Sequence, residues 1–366
     1  MFYTTKAMEI NKENVLQALS FVIEPDLKKD IVALNLVSEI EVKGPHLSFK
    51  VQISNPALHN RKRMEEACLH HLYRFFGEGV QATISVEALA KDSERSPELR
   101  KLLPGVKNII AIASGKGGVG KSTVTSNLAV ALAEQGYKVG LVDADIYGPS
   151  IPLMFDVYSE KPTVIEIDGK QWIEPVVNHN VKVLSIGFFA DTDQAIVWRG
   201  PMAAKALVQL FRDVNWGELD YMLIDLPPGT GDIHLSLVQT VPLTGVVVVS
   251  TPQEVALIDA RKAVGMFRLN EINVPILGFV ENMAYFTPAE LPNNKYYIFG
   301  KDGLKNLAET MQIPLLGEIP LVQSIREAGD AGRPAVLQQT TPQAIAFSNL
   351  AKNVVKVCTQ KQKELI

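Results

Sequence analysis

The run Gly115-Lys116-Gly117-Gly118-Val119-Gly120-Lys121-Ser122, followed by Thr123, has the spacing G-x-x-x-x-G-K-[ST] of a phosphate-binding loop. Its chemistry follows from the residue types. Glycine alone reaches positive-φ conformations without steric cost, so consecutive backbone N–H groups can turn toward one centre. Those amides, together with the start of a following helix, form an anion cradle. Lys121 then reaches the β- and γ-phosphates, and the Ser122 hydroxyl is placed to ligate Mg²⁺. The elements that must position the loop are present on both sides. Residues 108–114 (Asn108-Ile109-Ile110-Ala111-Ile112-Ala113-Ser114) form a short apolar run that reads as a buried strand. Thr123 to Gln135 carries Val124, Leu128, Ala131 and Leu132 at helical spacing, and Gly136 supplies the stop.

Two strand ends carrying acids complete the constellation. Val139-Gly140-Leu141-Val142 reads as a strand ending in Asp143-Ala144-Asp145, and Leu223-Ile224-Asp225 repeats the arrangement. In an open parallel sheet, ligands lie beyond the carboxyl ends of the strands, so these acids face the phosphates. Asp225 has the position of a Walker B acid holding the Mg²⁺ shell. It precedes Leu226-Pro227-Pro228-Gly229-Thr230-Gly231-Asp232, a turn whose glycines can offer amides to a γ-phosphate. Which of Asp143 and Asp145 acts on water, and which on metal, the sequence leaves open. Lys116 is a second lysine in a loop that needs only Lys121. It is either a solvated charge or an extra cation for a triphosphate held by a second subunit, as an arginine finger is in trans.

Composition bounds the rest. A chain of 366 residues with 47% hydrophobic and 21% charged residues suits a globular protein of two domains. The net charge of −4 creates no basic field for nucleic acid, and Arg61-Lys62-Arg63 is the one dense basic run. No stretch has the length of a transmembrane helix and the first residues lack the order of a signal peptide. Two cysteines, Cys68 and Cys358, make no disulfide framework, and the expected location is cytoplasmic.

The pattern predicts α/β architecture: a mostly parallel sheet with helices on both faces, preceded by a small α+β domain. The small domain spans 1–90, with helices over Lys12–Leu19 and Arg61–Phe76 and strands over Ile31–Val42, Leu47–Ile53 and Val80–Val86. A charged, proline-containing linker covers 91–107, and the ATPase domain covers 108–366. In the latter, Lys138–Val142, Tyr221–Ile224, Val246–Ser250 and Ile276–Val280 read as strands, and Asp168-Gly169 as a hairpin turn. Ala344–Val357 reads as a helix packed on the sheet.

The glycine-lysine loop resembles the deviant Walker A of the SIMIBI ATPases. Asp143-Ala144-Asp145-Ile146-Tyr147-Gly148-Pro149-Ser150, Trp198-Arg199-Gly200-Pro201-Met202, the Asp225–Asp232 run, Thr251-Pro252-Gln253 and Gly278-Phe279-Val280-Glu281-Asn282-Met283 narrow the resemblance. Together they are similar to the Mrp/ApbC family of ATP-dependent iron–sulfur cluster carriers. The N-terminal segment, with Glu24-Pro25-Asp26-Leu27 and Ser54-Asn55-Pro56, resembles a MIP18-like domain. The resemblance implies a homodimer with nucleotide near its interface and apoprotein clients or iron–sulfur assembly factors as partners, with neither nucleic acid nor membrane. By position, it implies that Lys116 reaches the partner's phosphates and that Lys121 and Ser122 hold phosphate and Mg²⁺. Asp145 would orient the attacking water, Asp225 would be the Walker B acid, and Asn282 would contact adenine.

One departure matters. Family members with a cluster usually carry a C-x-x-C pair shortly after the Glu-Asn-Met motif, and residues 284–295 here contain no cysteine. Leu58 stands where MIP18-like domains often have one. ATP and Mg²⁺ are therefore the expected cofactors, and the ligands of an iron–sulfur cluster are not identifiable from the sequence. The alternatives are a cluster-free regulatory or adaptor ATPase, or a nucleotide-switched positioning ATPase.

Overall fold

The computed structural model describes residues 10–24, 29–44, 46–53, 58–77, 79–88, 102–189, 200–270, 272–288, 290–291 and 293–364. Pro25-Asp26-Leu27, Ser54-Asn55-Pro56, Trp198-Arg199 and most of the predicted linker lie outside the described residues. The chain divides into two compact units, Met1–Arg95 and Ser96–Ile366.

The first unit runs α1 (Lys12–Leu19), β1 (Val37–Lys43), β2 (His46–Ile53), α2 (Leu58–Phe76) and β3 (Gln81–Ala88). Asn11 caps α1, its side-chain oxygen accepting from the Asn14 N–H at 2.9 Å. The sheet has the order β1-β2-β3, with β1 antiparallel and β3 parallel to β2. Strict alternation buries Leu47, Phe49, Val51 and Ile53 on one face of β2. The strand expected from Ile31 starts only at Val37. Asp30 accepts from the Ala33 N–H at 2.7 Å and Asn35 sits at φ 53°, so 31–35 is a turn. Ile31 is apolar because it enters the core, without pairing as a strand.

The second unit contains β4 (Val106–Ala113), α3 (Lys121–Glu134), β5 (Val139–Asp143), α4 (Ile151–Met154), β6 (Thr163–Ile167), β7 (Lys170–Glu174), β8 (Val176–Asn178) and β9 (Val181–Ser185). After these come α5 (Gly200–Arg212), β10 (Leu219–Asp225), α6 (Asp232–Thr240), β11 (Gly245–Ser250), α7 (Glu254–Phe267) and β12 (Ile276–Glu281). The unit closes with α8 (Gly303–Met311), β13 (Leu315–Glu318), α9 (Gln323–Asp330) and α10 (Pro342–Glu364). The main sheet has eight strands in the order β13-β12-β11-β4-β10-β5-β9-β8, all parallel to their neighbours except β8. Its central strands are buried along almost their whole length, which is why they read as continuous apolar runs.

Strand order sets the layers. From β4 the chain moves through α3 toward β5, but from β10 it moves through α6 the opposite way, to β11 and β12. Right-handed crossovers in opposite directions put their helices on opposite faces. The reversal leaves β4 and β10 adjacent, and the crevice at their carboxyl ends is where such folds bind ligands. Asp168 and Gly169, at φ 53° and 75°, form the predicted turn between β6 and β7. Helix α10 packs Phe347, Leu350 and Val354 into the core, against α3 and β13. Among the described residues no helix is long and apolar enough to cross a membrane.

Candidate nucleotide site

The loop between β4 and α3 has the conformation its glycines permit. Gly118 and Gly120 both sit at φ 79°, and Gly120 is the N-cap of α3, with no side chain capping the helix. The first-turn amides are thus left for an anion. A Cβ on Gly120 would strike the Asn282 amide, while one on Gly118 would meet nothing within 4 Å. The loop is braced on one side and open on the other, which fits a phosphate chain. Val119, 4% exposed, pins its centre to the core.

Asp225 is the hub of the polar contacts. Its Oδ2 accepts from Lys121 Nζ at 2.7 Å and from the Ser122 hydroxyl at 2.6 Å. Its Oδ1 accepts from the Thr125 hydroxyl at 2.6 Å. Lys121 also lies 3.7 Å from Asp145 Oδ2. These are oxygen donors and one ammonium group, converging where β10 ends beside the loop. The donor set of Ser122 hydroxyl and Asp225 carboxylate suits a hard cation such as Mg²⁺.

The two acids that end β5 differ in their surroundings. Asp143 is fully buried and both oxygens are engaged: Oδ1 accepts from the Asp145 N–H at 3.2 Å, and Oδ2 accepts from Ser185 at 2.9 Å and the Ile151 N–H at 3.2 Å. Burial first, and the neighbouring Asp225 second, push its carboxyl up to about 7. Asp145 is more open. Its Oδ1 accepts from the Tyr147 N–H at 3.3 Å and its Oδ2 faces Lys121. Its pKa is raised mainly by burial, against the pull of Lys121.

The turn after Asp225 is tied at two points. The Gly229 N–H donates to the Ser114 carbonyl at 2.9 Å. His234, in the first turn of α6, places Nε2 2.8 Å from the Pro227 carbonyl. A carbonyl only accepts, so Nε2 carries the proton. His234 Nδ1 and the Ser114 hydroxyl are the buried side-chain polar atoms without a hydrogen-bond partner among the described residues, and both flank this turn. Burial lowers the His234 pKa, keeping the ring neutral.

Of the residues singled out from sequence, Gly115, Gly117, Gly118, Val119, Gly120, Lys121, Ser122, Thr123, Asp145 and Asp225 lie at or beside the ends of β4, β5 and β10. Asn282 joins them from the end of β12, its Nδ2 donating to the Val119 carbonyl at 2.8 Å. Lys116 stands apart: it is exposed and makes no ion pair among the described residues. Sequence reasoning missed Thr125, Ser185 and His234. Thr125 had a signal, since it lies four residues after Lys121 on the same helix face.

Residues 105–355 match the family model described as the NUBPL iron-transfer P-loop NTPase. The chain belongs to that family. Residues 12–77 also match the model described as an iron-sulfur cluster assembly protein. The chain is 42% identical over 347 residues to an iron-sulfur cluster carrier protein of Synechocystis, covering 94% of this chain and 97% of that one. It is 48% identical over 265 residues to the iron-sulfur cluster transfer protein NUBPL of Dictyostelium discoideum, covering 72% and 80%. A nucleotide-binding protein of Archaeoglobus fulgidus, solved with ADP, superposes with a TM-score of 0.58 at 39% identity, over 68% of this chain and 95% of that one.

Proposed function

We propose that this NTPase is a cytoplasmic, Mg²⁺-dependent ATPase that closes as a homodimer around ATP and handles iron–sulfur clusters destined for apoproteins. The observation carrying the ATPase reading is the convergence of Lys121, Ser122 and Thr125 on Asp225 beside an uncapped helix N-terminus. The cluster part draws on the carrier and transfer proteins it resembles. Two free cysteines are consistent with a reducing compartment.

The geometry supports the following roles. The amides of the loop and Lys121 bind the β- and γ-phosphates, so Lys121 must trade part of its contact with Asp225 for phosphate oxygen. Ser122 and Asp225 would hold Mg²⁺, which supplies neutralising charge to the phosphates when bound. Asp145 is the better candidate to hold the attacking water, because Asp143 already spends both oxygens on Ser185 and backbone amides. Asn282 commits its Nδ2 to Val119, leaving its amide oxygen to accept from the exocyclic amine of adenine. Lys116, exposed and unpaired among the described residues, is free to extend toward phosphates held by a second copy.

The test is phosphate release in Mg²⁺ and in chelator, with nucleotide binding measured alongside. Lys116→Ala should keep ADP affinity while turnover largely disappears, and unchanged turnover would remove the trans role. Lys121→Ala should lose affinity itself.

A further inference from the structure

Iron–sulfur clusters are held by cysteine thiolates, four for the common forms. These 366 residues contain two cysteines. Cys68, on α2, is 0% exposed within the core of the first unit, and burial pushes its thiol up to about 12. Cys358, on α10, is 1% exposed in the core of the second unit, and burial pushes its thiol up to about 11. The thiolate is the metal-binding form, so the burial that disfavours it and closes off the sulfur works against ligation at both positions.

Position argues the same way. Cys358 lies close enough to Tyr221 to perturb it, and Tyr221 is four residues before Asp225 on β10. At about 3.3 Å per residue, that is roughly 13 Å from the acid, toward the amino ends of the strands and away from the nucleotide site. A second copy of the chain would double the number of thiols but would bring them no nearer, because each sits inside its own apolar core. No group of three or more His, Cys, Asp or Glu able to hold a metal ion occurs among the described residues.

We propose that the cluster this NTPase handles stays ligated by thiolates of other molecules throughout, so that its partner is a protein presenting a cluster on its own cysteines. The proposal rests on the iron–sulfur reading above. ATP-driven closure then acts on the encounter of donor and acceptor, not on a cluster bound to this chain. The chemistry is ligand exchange. Each iron–thiolate bond broken on the donor is replaced by one on the acceptor, the acceptor thiol gives its proton through water to the departing thiolate, and no electron moves.

The test compares the full chain with Cys68→Ala/Cys358→Ala, and with Cys68→Val/Cys358→Val in case the alanine cavities unfold a core. Each is first incubated anaerobically with ferrous iron and sulfide, desalted and assayed for iron and visible absorbance. Each is then given Mg-ATP, a [2Fe–2S] cluster held by glutathione thiolates and an apo-ferredoxin acceptor, and transfer is followed by absorbance. The expected result is no stoichiometric iron retained by either protein, with both accelerating transfer at a ratio of about 1, and a cluster retained equally by both would overturn the proposal. A stoichiometric cluster on the wild type that a folded cysteine-free variant loses would overturn the proposal and leave the iron–sulfur reading standing. Acceleration by neither, with ATP hydrolysis intact, would remove the iron–sulfur reading itself.

Discussion

Replacing Thr125 by valine tests the geometry of Asp225 directly, because the substitution keeps the shape and deletes one hydroxyl. In the structure Asp225 accepts three side-chain donors, two of which, Lys121 and Ser122, are the groups expected to turn toward phosphate and metal. Thr125 is the donor that stays. Its single proton faces two acceptors, Asp225 Oδ1 at 2.6 Å and the Lys121 carbonyl at 2.9 Å, and the shorter contact to the charged group is the stronger. A hydrogen bond to a charged group contributes about 1.5–3 kcal/mol, and the site is fully buried, so no water restores it. If that energy appears in the hydrolytic transition state, kcat/KM falls about 10- to 150-fold. The assay is phosphate release across a Mg²⁺ titration, with Thr125→Ser as the control that returns the hydroxyl. Thr125→Val hydrolysing within about twofold of wild type, or Thr125→Ser being no better than valine, refutes the reasoning.

Gly120→Ala forces a left-handed backbone on alanine and drives its Cβ into the Asn282 amide. A loss of about 1–2 kcal/mol in denaturant unfolding is expected, with weaker nucleotide binding. His234→Leu strands the Pro227 carbonyl in a buried place and should lower kcat more than it changes KM, whereas His234→Gln, which keeps a donor, should recover most of it. The depressed His234 pKa also has a sign: the unfolded chain takes up a proton that the folded chain refuses, so this contribution is present above about pH 6.5 and is lost as pH falls. Wild type should therefore lose more stability than His234→Gln between about pH 7 and about pH 5.5, and parallel curves would exclude the imidazole as the cause.

Much of the site was legible because it is encoded locally. The phosphate loop, its strand and its helix are contiguous, and the apolar runs that end in Asp143 and Asp225 declare parallel strands whose carboxyl ends meet. What was not legible depends on residues far apart in sequence. Asp143 and Asp145 are equivalent as letters, and only Ser185 and the Ile151 amide, arriving from later segments, engage one of them. His234 is likewise silent in the sequence, since its partner is a main-chain carbonyl. In the first unit the apolar stretch from Ile31 carries no sign that Asp30 turns the chain, so burial was mistaken for strand pairing there.

Gly115 lies so close to the main chain of α7 that any Cβ would collide with the Asp259 carbonyl. Side chains elsewhere act as soft packing that changes rotamer under load; here two backbones touch with nothing between them. On the outer side of α7 Val255 and Ile258 are more than half exposed, while the main chain on its other side seats the first residue of the phosphate loop. The residue after that point of contact is Lys116. Lys116 therefore leaves the loop from a point where the main chain already rests against α7.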